Sequence, residues 1–188
     1  MPKVLEFFFD FMSPPSYLAR TQLPSLVART GCDLRCRPMF TIGLHDIVGN
    51  QPPVMGPNNA KRIVADLQRH AIECGVTLRM NPHGLVNILP ASRAAALAER
   101  EGVLVALMDV IYPAMFIHGL NLSEINVMRE LLTEAGLDAS RYLEAIMTDE
   151  VKNLLKLNTE EAGERCFWRP NVFYRSGYAF WPIPVTLG

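Results

Sequence analysis

The 188-residue sequence has no C-x-x-C pair. Its four cysteines, Cys32, Cys36, Cys74 and Cys166, are scattered. Cys32 and Cys36 are separated by three residues in what reads as a strand, a poor geometry for a bridge. These residues read as reduced thiols of a cytoplasmic protein. Histidine is scarce, and His45, His70, His83 and His118 stand alone, without metal-ligand spacing, so no metal is expected. Charge of neither sign dominates: 18 Lys and Arg face 19 Asp and Glu, for a net charge of −1. That balance argues against a nucleic-acid surface and against a polybasic membrane anchor. No apolar run is long enough to span a bilayer. The N-terminal apolar stretch is interrupted by Glu6 and Asp10, and no small-residue cleavage site follows, so it does not read as a signal peptide. Internal repeats and low-complexity tracts are also missing.

What remains is an ordinary globular composition, 49% hydrophobic and 20% charged. A chain of this length can bury a core without staples. Residues 4–11 form a β-rich apolar run, expected to be a strand covered on both faces. Ser13-Pro14-Pro15-Ser16 then punctuates the chain. Serine caps helices and proline suits a first turn, so a helix over residues 17–29 is expected, ended by Gly31. Residues 33–40 read as a second strand, completing a βαβ opening that argues for an α/β fold. Residues 43–59 are rich in Gly, Pro and Asn and read as a loop. Helices are expected at 59–74, 92–101, 104–117, 124–135, 140–147 and 149–165, with Ser123 and Asp138 as caps. Two short strands around Ser176-Gly177 close the pattern.

Ser13 sits where a buried strand hands over to a helix. A group there meets unpaired backbone N–H groups and the positive end of the helix dipole. Such a place favours an anion. A cysteine there would be a low-pKa redox thiol. A serine cannot do redox work, but its hydroxyl can donate a hydrogen bond to a bound thiolate. On spacing alone, Ser13 as a plain helix cap stays open beside that reading.

The run Phe9-Asp10-Phe11-Met12-Ser13-Pro14-Pro15-Ser16-Tyr17-Leu18-Ala19 resembles the F-D-F-x-S-P-x-S-Y-L-A signature of the 2-hydroxychromene-2-carboxylate isomerases. That family belongs with the kappa-class glutathione transferases and the DsbA-like thiol:disulfide oxidoreductases. Further similarities keep the family's order: Gly49-Asn50-Gln51-Pro52-Pro53, Lys61 ahead of Asp66-Leu67-Gln68-Arg69, Asn87 with Arg93-Ala94, Gly136-Leu137-Asp138, Val151-Lys152 and Thr159-Glu160-Glu161-Ala162. The resemblance spans residues 3–165. It implies a thioredoxin-like fold with an inserted all-helical domain, and glutathione as cofactor. It also implies that Ser13 contacts the glutathione sulfur, with Asn50 and Lys61 lining the site. Asn50 as a turn residue and Lys61 as a solvated helix residue remain the plainer alternatives.

The tail departs from this pattern. The family has a glycine-rich stretch with a proline, normally cis, that presents backbone groups to glutathione, followed by a last helix. Here the chain reads Arg165-Cys166-Phe167-Trp168-Arg169-Pro170-Asn171-Val172-Phe173-Tyr174, and only a short proline-containing stretch follows Trp181. Pro170 occupies the matching proline position. Back-translated and shifted by one nucleotide, with permitted codons, Cys166 onward becomes V-F-G-V-P-T-F-F-I-G-R-D-M-L-F-G-Q-S-R-L. Trp168-Arg169 and Trp181-Pro182 both land on family glycines. The expectation is an insertion or deletion near residues 163–166, and a fold whose terminal helix is missing.

The expected organisation is a thioredoxin-like core from residues 1–45 and 166–188, with residues 46–165 as a helical insertion. The expected function is a glutathione-dependent isomerase acting on an aromatic substrate, with Ser13 as the catalytic residue and Asn50, Lys61 and Pro170 as glutathione contacts. Two alternatives are a kappa-class-like glutathione transferase and an inactive or partly folded product with a scrambled tail. The partners are glutathione and a small aromatic molecule, without nucleic acid or membrane; a homodimer is compatible with the reading.

Overall fold

The structure is a computed structural model that describes residues 4–49, 57–165, 171–174 and 177–179. The chain opens with strand β1 (Val4–Phe9), helix α1 (Pro14–Thr30) and strand β2 (Asp33–Pro38). Seven helices follow among the described residues: α2 (Thr41–Val48), α3 (Pro57–Glu73), α4 (Leu89–Glu101), α5 (Leu104–Pro113), α6 (Ile125–Glu134), α7 (Ala139–Ala145) and α8 (Asp149–Glu164). A π-helical turn, Ala114–His118, extends α5. Strands β3 (Asn171–Tyr174) and β4 (Gly177–Ala179) complete the sheet.

The sheet order is β2-β1-β3-β4. β1 and β2 run parallel, in a register that pairs Glu6 with Arg35 and Phe8 with Arg37. β3 lies antiparallel to β1, and β4 antiparallel to β3. Parallel neighbours need a crossover, and α1 supplies it. A βαβ unit with an antiparallel pair added beside its first strand is the thioredoxin-type sheet, here with many helices packed around it. The terminal helix expected to be absent, and the altered tail around Pro170, lie outside the described residues.

β1 alternates in space, so its aromatic run feeds both faces. Phe8 packs with Met39, Leu44 and Ala162 on one side. Phe7 and Phe9 join the larger core on the other. All three phenylalanines are buried, each worth about 2–3 kcal/mol of transfer free energy. The larger core holds a chain of rings. Phe9 lies 5.3 Å from Phe11, Phe11 lies 5.1 Å from Tyr112, and Tyr17 stacks on Phe116 at 5.3 Å. These contacts fix α1 against α5 and its π-helical extension. The Tyr17 hydroxyl donates to the Thr77 carbonyl at 2.9 Å, adding the chain beyond α3 to the same assembly.

The other sheet face is held by charge. Arg37 donates to Asn158 Oδ1 at 2.7 Å and to Glu161 Oε2 at 2.7 Å, and pairs with Glu99 at 2.9 Å. Its guanidinium lies over the Phe8 ring, 5.3 Å from the centroid. Glu6 of β1 reaches Arg37 at 3.6 Å and Arg165 at 2.7 Å. One network thus ties β1, β2, α4 and α8 together.

Several local expectations shift. The segment expected to be a loop from residue 43 begins with α2 instead. Ser123 does not cap α6: Glu124 holds the cap position, and the Ser123 hydroxyl accepts the Asn87 N–H at 2.9 Å. Pro113 and the π-helical turn end the regular part of α5, where a helix to residue 117 was expected.

Candidate active site at the mouth of the first helix

Ser13 is the N-cap of α1, with extended backbone at φ −91° and ψ 107°. Its Oγ accepts the Ser16 N–H at 3.3 Å. Pro14 and Pro15 fill the first helical positions, where proline's missing N–H costs nothing. At the far end Gly31 closes the helix with φ 64°, a left-handed conformation that glycine adopts without strain. Seventeen aligned peptide units therefore point their positive end at Ser13.

The two serines of the turn differ. Ser13 is half-buried, with room for contact from solvent. Ser16 is buried at 1% exposure, and its Oγ accepts the Asp10 N–H at 3.4 Å. The Ser13 oxygen already accepts one backbone N–H, so its own hydrogen is free to be donated outward. A partly exposed O–H beside a helix N-terminus suits an anion.

Asp10 underlies the turn. Its carboxylate is buried at 1% exposure and accepts the Met12 N–H at 2.7 Å and the Thr41 N–H at 2.6 Å. Burial raises its pKa, against the lowering effect of these two backbone donors. Tyr112 packs in the same interior; burial holds its hydroxyl well above the usual phenol range, and the neighbouring Asp10 charge adds to the effect. His45, on α2, is also buried, and its pKa is lowered by desolvation, with Asp46 opposing.

Lys61 is exposed on α3, just over one turn into the helix. Among the described residues no hydrogen bond or ion pair joins it to Ser13. Asn50 and Pro170 lie outside the described residues, although Asn50 directly follows Gly49, the left-handed cap that ends α2. In the sequence Asp10 shows only as part of the motif and as a break in the apolar run. Its partner Thr41 lies 31 residues away, which no local pattern reveals.

A separate open cavity of about 460 Å³ lies between β2 and the start of α5, lined by Leu34, Arg35, Cys36, Glu99, Leu104 and Val105. It contains no residue of the Ser13 turn. Burial pushes the Cys36 thiol there up to about 11, which leaves it a poor nucleophile at neutral pH. Among the described residues no helix is long and apolar enough to cross a membrane.

Fold and site together define a thioredoxin-fold protein with serines, Ser13 and Ser16, in the turn that opens its first helix. The chain belongs to the DSBA-like thioredoxin domain family, whose model matches residues 4–167. Among curated proteins, the chain is similar to the 2-hydroxychromene-2-carboxylate isomerase of Sphingobium xenophagum, 28% identical over 194 residues, covering 96% of this chain and 93% of that protein. It is also similar to human glutathione S-transferase kappa 1, at 26% over 175 residues, covering 86% and 76%. A solved structure of a 2-hydroxychromene-2-carboxylate isomerase superposes with a TM-score of 0.77 at 21% identity, covering 94% of this chain and 88% of that one.

Proposed function

We propose that the chain is a glutathione-dependent isomerase of the 2-hydroxychromene-2-carboxylate type, and that the Ser13 hydroxyl stabilises the glutathione thiolate. The supporting observation is the half-buried Ser13 Oγ at the mouth of α1, fixed by the Ser16 N–H and left with its own hydrogen to donate. Bound glutathione would supply a thiolate nucleophile for reversible addition to the conjugated acid, and Ser13 with the first turn of α1 would hold its sulfur. Ser13 donates to the sulfur, and the dipole of α1 lowers the cost of its charge. The rigid Pro14-Pro15 turn keeps the hydroxyl oriented, so no reorganisation is needed when the charge forms. Lys61, Asn50 and Pro170 are assigned to the walls of the site, with Lys61 facing a carboxylate of glutathione or substrate.

The same reading places the protein in the cytoplasm, is compatible with a homodimer, and takes residues 46–165 as a helical unit inserted into the core. Similarity to human glutathione S-transferase kappa 1 favours a second reading, conjugation of glutathione to electrophiles. Disulfide exchange is disfavoured, because neither Ser13 nor Ser16 carries sulfur.

The test is turnover of 2-hydroxychromene-2-carboxylate with and without glutathione, followed by absorbance. Isomerisation that requires glutathione is the expected result. Equal rates without glutathione overturn the reading. Conjugation of an aryl halide without isomerisation replaces it with the transferase reading.

A further inference from the structure

β2 is an edge strand: in the order β2-β1-β3-β4, one of its sides has no neighbouring strand. Such an edge carries a row of backbone N–H and C=O groups that the sheet itself does not pair. The open cavity of about 460 Å³ lies along that side. Residues 34–37 of β2 line it, faced by Glu99 of α4 and by Leu104 and Val105 of α5. Successive side chains of a strand point to opposite faces, so four consecutive residues can border one cavity only along the strand's edge. The cavity therefore continues the plane of the sheet, where a further strand would lie.

Its two walls differ in chemistry. Leu34 and Cys36 turn to the larger core, as does Leu104, and the exposed Val105 extends this apolar wall outward. Arg37 turns to the other face, over Phe8, and is paired there with Glu99 and Glu161. Arg35 alternates onto the same face as Arg37. It is exposed, and it forms no ion pair among the described residues. The space is short. At a strand spacing of ~4.8 Å, a face-to-face spacing of ~10 Å and a rise of ~3.3 Å, an added residue occupies roughly 160 Å³. The cavity takes about three such residues.

We propose that this edge of β2 binds an extended peptide segment of a partner protein in which apolar residues alternate with acidic ones. The guest pairs its backbone with the open side of β2, as an added strand. Its apolar side chains lie on Leu34, Leu104 and Val105, and its acidic side chains lie opposite Arg35. A basic guest meets Arg35 with like charge, which selects against it. No residue of the Ser13 turn borders the cavity, so this site stands apart from the glutathione reading.

The probes are two capped peptides, acetyl-Val-Glu-Val-Glu-Val-amide and acetyl-Val-Lys-Val-Lys-Val-amide. Each is titrated into the isotope-labelled full chain, as wild type and as Arg35→Glu, and backbone amide shifts and affinities are read by NMR. Arg35 is exposed, so reversing its charge leaves the core untouched, and circular dichroism checks the fold. Sedimentation of both chains without peptide gives their oligomeric state.

The acidic peptide is expected to shift the amides of residues 34–37 and of Val105 and to leave those of the Ser13 turn in place. Wild type should prefer the acidic peptide about fivefold, the upper end for one cross-strand charge pair. Arg35→Glu should reverse the preference. Equal affinities for the two peptides, no amide shift at millimolar peptide, or shifts centred on the Ser13 turn overturn the proposal. A wild-type dimer that Arg35→Glu splits into monomers overturns it as well, because a second copy of the chain then occupies the edge.

Discussion

Replacing Arg37 with methionine should destabilise the fold by an amount that depends on pH. Arg37 and its carboxylate partners Glu6, Glu99 and Glu161 have side chains between 22% and 31% exposed, so solvent screens them only in part. Methionine keeps much of the packing over Phe8 but leaves Glu99 with Asn158 as its remaining hydrogen-bond partner. Arg165 still neutralises Glu6 and Glu161. Breaking a fully buried pair costs about 3–5 kcal/mol, so about 3 kcal/mol is expected for this partly exposed one. In a chain of this size that corresponds to a fall in Tm of about 6–12 °C. Glu99 sets the pH dependence. Burial raises its folded pKa above the unfolded value, with Asn158 and Arg37 acting against that rise. A raised acid favours the folded state while it is protonated, and that contribution is lost as pH rises through the folded pKa. Without Arg37 the pKa rises further. The deficit of Arg37→Met is therefore largest at neutral pH and narrows on acidification into the carboxylate range. Urea unfolding followed by circular dichroism at several pH values measures it. A loss below about 1 kcal/mol at pH 7, or a loss independent of pH, would refute the reasoning.

Two further predictions concern other contacts. Gly119 has φ 65°, and a Cβ there would sit 2.7 Å from Cδ of the Pro82 ring. Gly119→Ala should lose about 2 kcal/mol or more, from left-handed strain and this clash together; an unchanged urea midpoint would contradict it. Glu101 accepts both arms of Arg141, at 2.7 and 2.8 Å, and the Tyr142 hydroxyl at 2.6 Å. These partners, Arg141 first, lower its pKa to about 2. A depressed acid stabilises the fold above its unfolded pKa, and the gain disappears as pH falls through the folded one. Glu101→Gln should thus be less stable than wild type at pH 7, with the difference closing between about 4.5 and 2, as read from unfolding curves across that window.

The parts of the fold that the sequence reveals are those whose causes are local. Ser13, the paired prolines and Gly31 mark both ends of α1 within a few residues, because caps and φ preferences act over one turn. The run from Val4 announces a strand buried on both faces, and the structure places Phe8 on one side with Phe7 and Phe9 on the other. α2 escapes notice because its stabilising contacts are remote. Gly43 and Gly49 look like loop punctuation, yet α8 packs closely beside Gly43, where an added Cβ would lie 3.8 Å from Thr159. The cap on α2 comes from Asp10, and no pattern within residues 41–48 encodes it. The charge network has the same character: Glu6, Arg37, Glu99 and Glu161 are far apart in sequence and meet only after the sheet and helices assemble. Of the candidate site, the capping position of Ser13 is legible from Ser13-Pro14-Pro15 alone. The tie through Asp10 is not, since the motif names the residue without its partner.

The most direct measurement is the pKa of the glutathione thiol in complex with wild type and with Ser13→Ala, read from thiolate absorbance in the ultraviolet. The account predicts a bound thiol more acidic than free glutathione, and a rise of about one unit when the hydroxyl is removed. The same pKa in both complexes would contradict it.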